Sequence, residues 1–127
     1  MDTKQVGQKL VEYCRNGNNL EAIKTLYSRD IVSVEAMGSA EMPAEIRGID
    51  KVVEKNKWWI ENHDLHSAST EGPFPNQDRF AVIYDYEVTP KNGPMKGKRA
   101  KMHEVALYTV KDGKIVHEEF FYDMGGA

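Results

Sequence analysis

The spacing of apolar residues changes once along this chain, at His63. Before it, apolar side chains recur every third or fourth residue, which predicts helices over about residues 3–15, 20–27 and 49–63. After it, they recur every second residue, which predicts strands. With one β-branched stretch between the second and third helices, the predicted strands cover about residues 31–35, 65–71, 80–88, 100–110 and 115–123. Helices segregated from a run of strands are typical of α+β folds, so we expect three N-terminal helices packed against a curved, mostly antiparallel sheet.

Turn-forming residues separate the predicted elements. Asn16-Gly17 ends the first helix, and residues 37–48 and 90–99 are predicted loops. Asp112-Gly113 is a strong signal for a tight hairpin between the last two strands. A sheet curved around a helix leaves an apolar cleft, which is a common place for a small ligand.

Composition narrows the classes of protein that fit. The 127 residues are predicted to form one domain, residues 1–127. The formal net charge of −3 disfavours a nucleic-acid partner, because such proteins need a basic surface. No apolar run is long enough for a membrane span, and no apolar signal segment follows Met1, so a cytoplasmic location is expected. The single cysteine, Cys14, excludes an internal disulfide and a cysteine-rich zinc site.

Four stretches of the chain carry a family resemblance. They read YSRDIVSVE at 27–35, GIDKV at 48–52, YTVKDGKIV at 108–116 and FFYD at 120–123. In this order they resemble the nuclear transport factor 2-like (NTF2-like) superfamily, in its branch of SnoaL-like polyketide cyclases and ketosteroid isomerases. The resemblance implies a cone-shaped α+β barrel with its pocket inside the cone, and a homodimer formed through the outer sheet face. It implies no single activity, because the superfamily includes isomerases, cyclases, hydrolases, dehydratases and non-catalytic binding modules.

The turn at 112–113 decides which side chains share a face of the sheet. A type I turn with a bulge pairs Val110 with Lys114, and this places His103 and Asp123 on one face. A two-residue turn shifts the register and places them on opposite faces. The apolar residues beside His103, together with the resemblance, favour the bulged turn.

His103 and Asp123 are the predicted catalytic residues. A carboxylate in an apolar pocket suits a general base near neutral pH, and a histidine beside it can donate a hydrogen bond to a developing enolate. The resemblance points the same way, since SnoaL-like cyclases carry an acid/base aspartate near the end of the last strand. The alternatives are that Asp123 only caps the strand end or pairs with a lysine, and that His103 is a core or interface residue.

Six other side chains are predicted to bind substrate. They lie on the apolar stripes of the first and third helices or on the faces of the later strands. They are Tyr13, Asn56, Trp59, Tyr86, Glu119 and Phe121. For Tyr13, core packing is an equally good interpretation, and Trp59 fits a pocket wall or the core better than a catalytic role.

Three features limit the chemistry. In ketosteroid isomerases the base directly follows a Val-Glu pair, whereas here Ala36 follows Val34-Glu35. Glu35 is therefore either a substitute carboxylate or, as we favour here, a solvated strand residue. The histidines of residues 63–66 straddle a predicted helix end and need not converge, so no metal site is predicted. No glycine-rich phosphate loop occurs, so no organic cofactor is expected.

The sequence thus predicts a SnoaL-like enzyme of the isomerase or cyclase type that acts on a small apolar carbonyl compound. The alternative is a non-catalytic, ligand-binding dimeric module of the same fold. An epoxide hydrolase is disfavoured, because only Asp123 and Asn56 are easily placed in the polar cluster that it needs. The predicted dimer rests on the resemblance and on apolar residues assigned to the outer sheet face, namely Ala106, Tyr108, Val110, Val116 and Phe120.

Overall fold

Three helices lie against one face of a six-stranded sheet in the computed structural model, which describes residues 1–38 and 42–123. The helices are α1 (Thr3–Arg15), α2 (Asn19–Leu26) and α3 (Ile49–Glu61). The strands are β1 (Tyr27–Val34), β2 (Glu45–Arg47), β3 (His63–Asn76), β4 (Arg79–Pro90), β5 (Ala100–Lys111) and β6 (Lys114–Phe121). Residues 39–41, within the predicted loop 37–48, and residues 124–127, which follow the last predicted strand, lie outside the described part of the chain.

The strands are arranged in the order β2-β1-β6-β5-β4-β3, and the sheet is not closed. Neighbours are antiparallel except β1 and β6, which are parallel. The predicted α+β class, with three helices on a mostly antiparallel sheet, is confirmed. Three details differ: β2 lies within the predicted loop 37–48, β1 begins at Tyr27 rather than near Ile31, and β3 continues to Asn76 rather than ending near Glu71.

Helix α1 begins at a complete capping box. The Asp2 carboxylate accepts a hydrogen bond from the Gln5 backbone N–H at 2.8 Å, and the Gln5 side chain accepts one from Asp2 N–H at 2.9 Å. Val6 and Leu10 are buried on the sheet side of the helix. Gly7 lets the helix approach β3 closely, since a Cβ there would lie 2.8 Å from the Pro73 Cβ.

The helices cover the inner face of the sheet. Along β4 and β5, every second side chain points to this inner face. The buried ones are Phe80, Val82, Tyr84, Ala106, Tyr108 and Val110. Val105, Leu107 and Phe121 therefore lie on the outer face, where Phe121 remains 48% exposed. The sequence-based assignment of Ala106, Tyr108, Val110 and Phe120 to the outer face was wrong, because both faces of these strands carry apolar residues and only helix packing distinguishes them.

The β5–β6 hairpin has a two-residue turn. Lys111 pairs with Lys114, and Asp112 and Gly113 have φ angles of 53° and 76°. Positive φ at both central residues is the type I′ geometry that matches the twist of paired strands. The predicted pairing of Val110 with Lys114 was wrong, since Val110 pairs with Ile115.

A shift in register between Thr109 and Val110 then changes the strand pairing beyond the turn. Thr109 pairs with His117, and Val105 pairs with Phe121. This irregularity adds one residue to β6 and puts Glu118 and Phe120 on the inner face. Glu118 is thereby directed towards the helices.

Within the part of the chain that the structure describes, no helix is both long enough and apolar enough to cross a lipid bilayer.

Candidate functional site

Polar side chains from four elements meet between α3 and the inner sheet face. We call them the interior cluster; they are Glu35, Lys55, Glu104, Glu118 and Tyr122. Glu35 directly follows β1, and Tyr122 directly follows β6. Lys55 lies on α3 close to the buried Val52, so the sheet-facing side of this helix also carries the lysine.

Lys55 is the positive centre of this cluster. Its Nζ donates hydrogen bonds to Glu35 Oε1 at 2.9 Å and to Ser33 Oγ at 2.6 Å. The Glu118 Oε2 lies 4.0 Å away, and the side chain of Lys55 is only 12% exposed. The ammonium also sits 5.1 Å from the centre of the Phe120 ring. Lys55 is thus a largely desolvated ammonium group that lies between two carboxylates.

Glu118 is a fully buried carboxylate with its own hydrogen-bond donors. Tyr27 donates its hydroxyl proton to Oε1, and Ser33 donates to Oε2 at 2.7 Å. Burial raises the pKa of Glu118, while Lys55 and the two hydroxyl groups oppose that rise. Burial and the neighbouring Glu118 raise the pKa of Tyr27 well above its usual value, so the phenol remains a donor.

Glu104 is the carboxyl group best suited to exchange protons. Burial, then the nearby Glu35, raise its pKa to about 7, although Lys55 lowers it and Glu118 raises it further. Among the described residues, none forms a hydrogen bond or an ion pair with this carboxyl. A carboxyl that is half ionised near neutral pH and is free of partners has the properties of a general acid/base.

Aromatic rings form a wall beside the cluster. Tyr86 lies on the inner face of β4, with its ring 5.9 Å from Tyr84 and 5.6 Å from Trp59. Burial, then Glu104, raise the pKa of Tyr86, so Tyr86 remains neutral close to that carboxyl. Trp59 also stacks on His63, with ring centres 4.4 Å apart. This wall offers apolar contact to a ligand next to the polar cluster.

At the margin of the cluster, Tyr122 connects the segment after β6 with the segment after β1. Its hydroxyl donates to Glu35 Oε2 at 3.1 Å, and burial together with Glu35 raises its pKa to about 12. Glu35 therefore accepts from both Lys55 and Tyr122 and is not the solvated strand residue that the sequence favoured. Because β1 ends at Val34, strand alternation does not set the direction of the Glu35 side chain.

The structure places neither residue of the predicted catalytic pair in the interior cluster. His103 lies on the outer face of β5, is 69% exposed, and has its Nδ1 2.5 Å from Asp85 Oδ1. Asp123 is exposed and follows the end of β6. Within the described residues, no hydrogen bond or ion pair joins His103 to Asp123. Their catalytic roles stay predictions.

The other predicted site residues divide between the two sides of the sheet. Tyr86 and Trp59 form the aromatic wall, and Asn56 lies on α3, where its amide donates to the Val52 carbonyl at 2.8 Å. Tyr13 is half-buried and packs against the core from α1. The remaining two, Glu119 and Phe121, are on the outer face, where they pair with Leu107 and Val105.

Sequence reasoning missed Lys55, Glu104 and Glu118. One signal pointed to the two glutamates, because each lies two residues from an inner-face apolar residue, Ala106 or Phe120, in a strand that alternates. A charged residue in such a position is either solvated or paired inside the protein. Glu118 is paired with Lys55, which comes from a distant helix. Glu104 is partly buried without an ion pair among the described residues, and Lys55 acts on it only by lowering its pKa.

The candidate metal ligands of residues 63–66 do not form a metal site. His63 Nδ1 lies 2.8 Å from the Trp59 carbonyl oxygen, and His66 Nε2 lies 2.7 Å from the Thr89 hydroxyl. Across the described ranges 1–38 and 42–123, no group of three potential ligand side chains could hold a metal ion.

Comparisons with known proteins place this geometry in a family. The family model described as a SnoaL-like domain matches residues 1–122. A crystal structure from Mesorhizobium loti, whose description includes the words SnoaL-like polyketide cyclase and carbohydrate phosphatase, is 39% identical. It superposes with a TM-score of 0.89 over 96% of this chain and 100% of its own. Among curated proteins, no significant match was found.

More distant solved structures show the same fold. An NTF2-like protein of unknown function from Burkholderia pseudomallei is 16% identical, with a TM-score of 0.74 over 97% of this chain and 92% of its own. A protein with a ketosteroid isomerase-like fold from Catenulispora acidiphila, solved in complex with trimethylamine, is 15% identical. Its TM-score is 0.71 over 96% of this chain and 88% of its own.

Proposed function

Because this chain belongs to the SnoaL-like domain family, we propose that it is an acid/base enzyme that acts on a small, largely apolar carbonyl compound. Glu104 is the general base, and Lys55 stabilises the enolate that forms. The observation that supports this most is that a carboxyl with a pKa raised to about 7 by burial, and by Glu35, shares one buried cluster with an ammonium group.

The proposed reaction is proton transfer beside a carbonyl. Ionised Glu104 removes a proton from the carbon next to the carbonyl. The electron pair of that C–H bond forms the C=C bond of the enolate, and the π electron pair of the carbonyl moves to its oxygen. The Lys55 ammonium lies in a poorly hydrated site, where its charge stabilises the oxygen more strongly than it would in water. In an isomerase, protonated Glu104 then returns the proton to another carbon of the conjugated enolate. In a cyclase, the enolate carbon attacks a second carbonyl, whose π electron pair moves to its oxygen, and that oxygen takes the proton from Glu104.

The surroundings of the cluster support an apolar substrate. Tyr86 and Trp59 offer ring faces on one side, and Phe120 lies beside Lys55 on the other. An apolar compound with one carbonyl could therefore contact rings with its body and place its oxygen near Lys55.

The test is solvent exchange of the α-protons of small ketones and diketones, followed by NMR in D2O. We expect the wild-type exchange rate to rise through about pH 7 and to level off above it, because the Glu104 base must be ionised and its pKa is raised to about 7 by burial and Glu35. If ketones bind but their α-protons do not exchange at any pH, the proposed enzymatic function is wrong, and the non-catalytic ligand-binding module is favoured.

The matched control variants are His103→Gln and Asp123→Asn. Both positions are exposed, and neither belongs to the interior cluster, so we expect both variants to exchange protons at about the wild-type rate. If Glu104→Gln still exchanges protons and one of these two variants does not, then Glu104 is not the base. The catalytic residue would then be Asp123 or His103, as the sequence predicted.

A homodimer through the outer sheet face belongs to the same proposal. Val105, Leu107 and Phe121 form a partly exposed apolar area there, which the helices on the other face do not cover. Apolar surface of this kind favours association. The cytoplasmic location likewise stays a prediction.

Leu107→Lys is expected to convert the dimer to a monomer, because a lysine on each copy would bring two positive charges into the contact. Light scattering would report twice the mass of one 14.5 kDa chain for the wild type and the mass of a single chain for the variant. Glu12→Lys, on the exposed side of α1, is the control and should leave the mass of the dimer unchanged. A wild-type protein with the mass of one chain would refute the dimer.

A further inference from the structure

A chain of buried polar groups lies behind Lys55. The backbone register places Ser33 of β1 beside Glu118 of β6. The Ser33 hydroxyl donates to Glu118 Oε2 at 2.7 Å and accepts from Lys55 Nζ at 2.6 Å. Tyr27 holds the other oxygen of Glu118. Ser33, Glu118 and Tyr27 are all buried, so the order of donors and acceptors is fixed within the protein.

The two carboxylates around Lys55 differ in access. Glu35 is 26% exposed and also accepts from Tyr122, whereas the side chain of Glu118 is only 2% exposed. A ligand or water that enters the cluster can compete for Glu35. It cannot reach Glu118, so the counter-charge of Glu118 stays in place when a ligand binds.

The direction of the Ser33 hydroxyl determines what Lys55 can offer. Since Ser33 uses its proton on Glu118, it presents only lone pairs to Nζ, and Lys55 must donate to it. A lysine ammonium has three N–H donors. In the described structure two of them meet Ser33 and Glu35, and Glu118 Oε2 at 4.0 Å is too distant for a hydrogen bond. One N–H therefore remains for a ligand oxygen.

We infer that Ser33 and Glu118 are positioning residues that hold the Lys55 ammonium in place and aim its third N–H at the ligand oxygen. The inference rests on the proposed function, in which that oxygen is the developing enolate. Neither residue touches the substrate; each acts through Lys55. Tyr27 acts one step further away, on the far oxygen of Glu118.

The test compares Ser33→Ala with Ser33→Thr and Tyr27→Phe. Ser33→Ala removes one of the two hydrogen-bond acceptors of Lys55 and leaves Glu35, Ser33→Thr keeps a hydroxyl, and Tyr27→Phe removes a hydroxyl that does not contact Lys55. The readout that does not depend on turnover is the proton–nitrogen NMR signal of the Lys55 ammonium at low temperature and slightly acidic pH. Hydrogen bonds slow the exchange of its protons with water, so a held ammonium gives a signal and a released one does not.

We expect Ser33→Ala to lose the Lys55 signal, and Ser33→Thr and Tyr27→Phe to keep it. In turnover, Ser33→Ala should lower kcat by about 10-fold to 100-fold and change KM by less than about threefold. A misplaced ammonium reduces the stabilisation of the transition state more than it reduces the binding of substrate. Ser33→Thr should restore kcat. Near-ultraviolet circular dichroism checks that each variant keeps its fold.

A Lys55 signal that persists in Ser33→Ala would overturn the inference whatever the activity. If the signal is lost but wild-type protein exchanges no ketone, the proposed function fails and the positioning of Lys55 stands. Loss of kcat in Ser33→Ala with an unchanged Lys55 signal would also count against positioning, because the serine would then act by another route.

Discussion

Glu104→Gln is expected to lose α-proton exchange and, at the same time, to become more stable than the wild type above about pH 8. The loss of rate follows from removing the base, since a general base contributes about 100-fold to 10,000-fold. The amide has nearly the same shape and hydrogen-bonding groups as the protonated acid. The variant should therefore retain its fold and its aromatic wall.

The gain in stability follows from the raised pKa of Glu104, which burial and Glu35 shift from 4.5 to about 7. Between these values the folded protein binds more protons at Glu104 than the unfolded chain does. The free energy of unfolding of the wild type therefore falls as pH rises from about 4.5 through about 7, by up to about 3 kcal/mol. Glutamine removes this pH-dependent loss.

Urea unfolding of the wild type and Glu104→Gln at about pH 4.5 and about pH 8 measures the effect. The difference between the two proteins should be small at the lower pH and should favour the variant at the higher pH. A variant that is less stable than the wild type at about pH 8 would show that the ionised carboxyl is stabilised in the folded protein. That result contradicts a desolvated base.

Lys55→Met is expected to destabilise the protein strongly at neutral pH. It leaves the buried Glu118 carboxylate, and also Glu35, without the ammonium that lies between them. Removing one partner of a buried ion pair costs about 3–5 kcal/mol, because the remaining charge is left uncompensated. The loss should shrink as pH falls, since burial already raises the pKa of Glu118 and protonation removes its charge.

Lys57→Met is the matched control, because Lys57 is an exposed lysine on the same helix. Its free energy of unfolding should lie within about 0.5 kcal/mol of the wild-type value. If Lys55→Met behaves like Lys57→Met in urea at neutral pH, then Glu118 is not held as an anion by Lys55. The electrostatic account of the interior cluster would then be wrong.

The helices were predictable because each carries its own signal. The apolar spacing of α1, the Gly17 stop and the spacing around Val52 in α3 are local patterns that packing reinforces. The hairpin signal Asp112-Gly113 was also local, and the turn forms where it was predicted. β2 was not predictable in this way, since it is three residues long and exists because its backbone pairs with β1.

The site was harder to predict because its determinants are not local. Val105 and Leu107 alternate with Ala106 and Tyr108, so both faces of β5 carry apolar residues. The two-residue spacing of apolar side chains therefore did not show which face is turned to the helices. That ambiguity assigned His103 to the interior and left Glu104 out. A glutamate in a strand is usually solvated, and no local pattern shows that Lys55 of α3 lies close to Glu118 and influences Glu104.

Titration of the Glu104 carboxyl carbon by NMR in the wild-type protein, with Glu104→Gln to assign the signal, is the most direct test of the proposed site. We expect this carboxyl to titrate with a midpoint near pH 7, because burial and the neighbouring Glu35 raise the pKa of Glu104 to about 7. A midpoint near 4.5, the ordinary value for a glutamate, would mean that the carboxyl is solvated or paired, and that Glu104 is not the base.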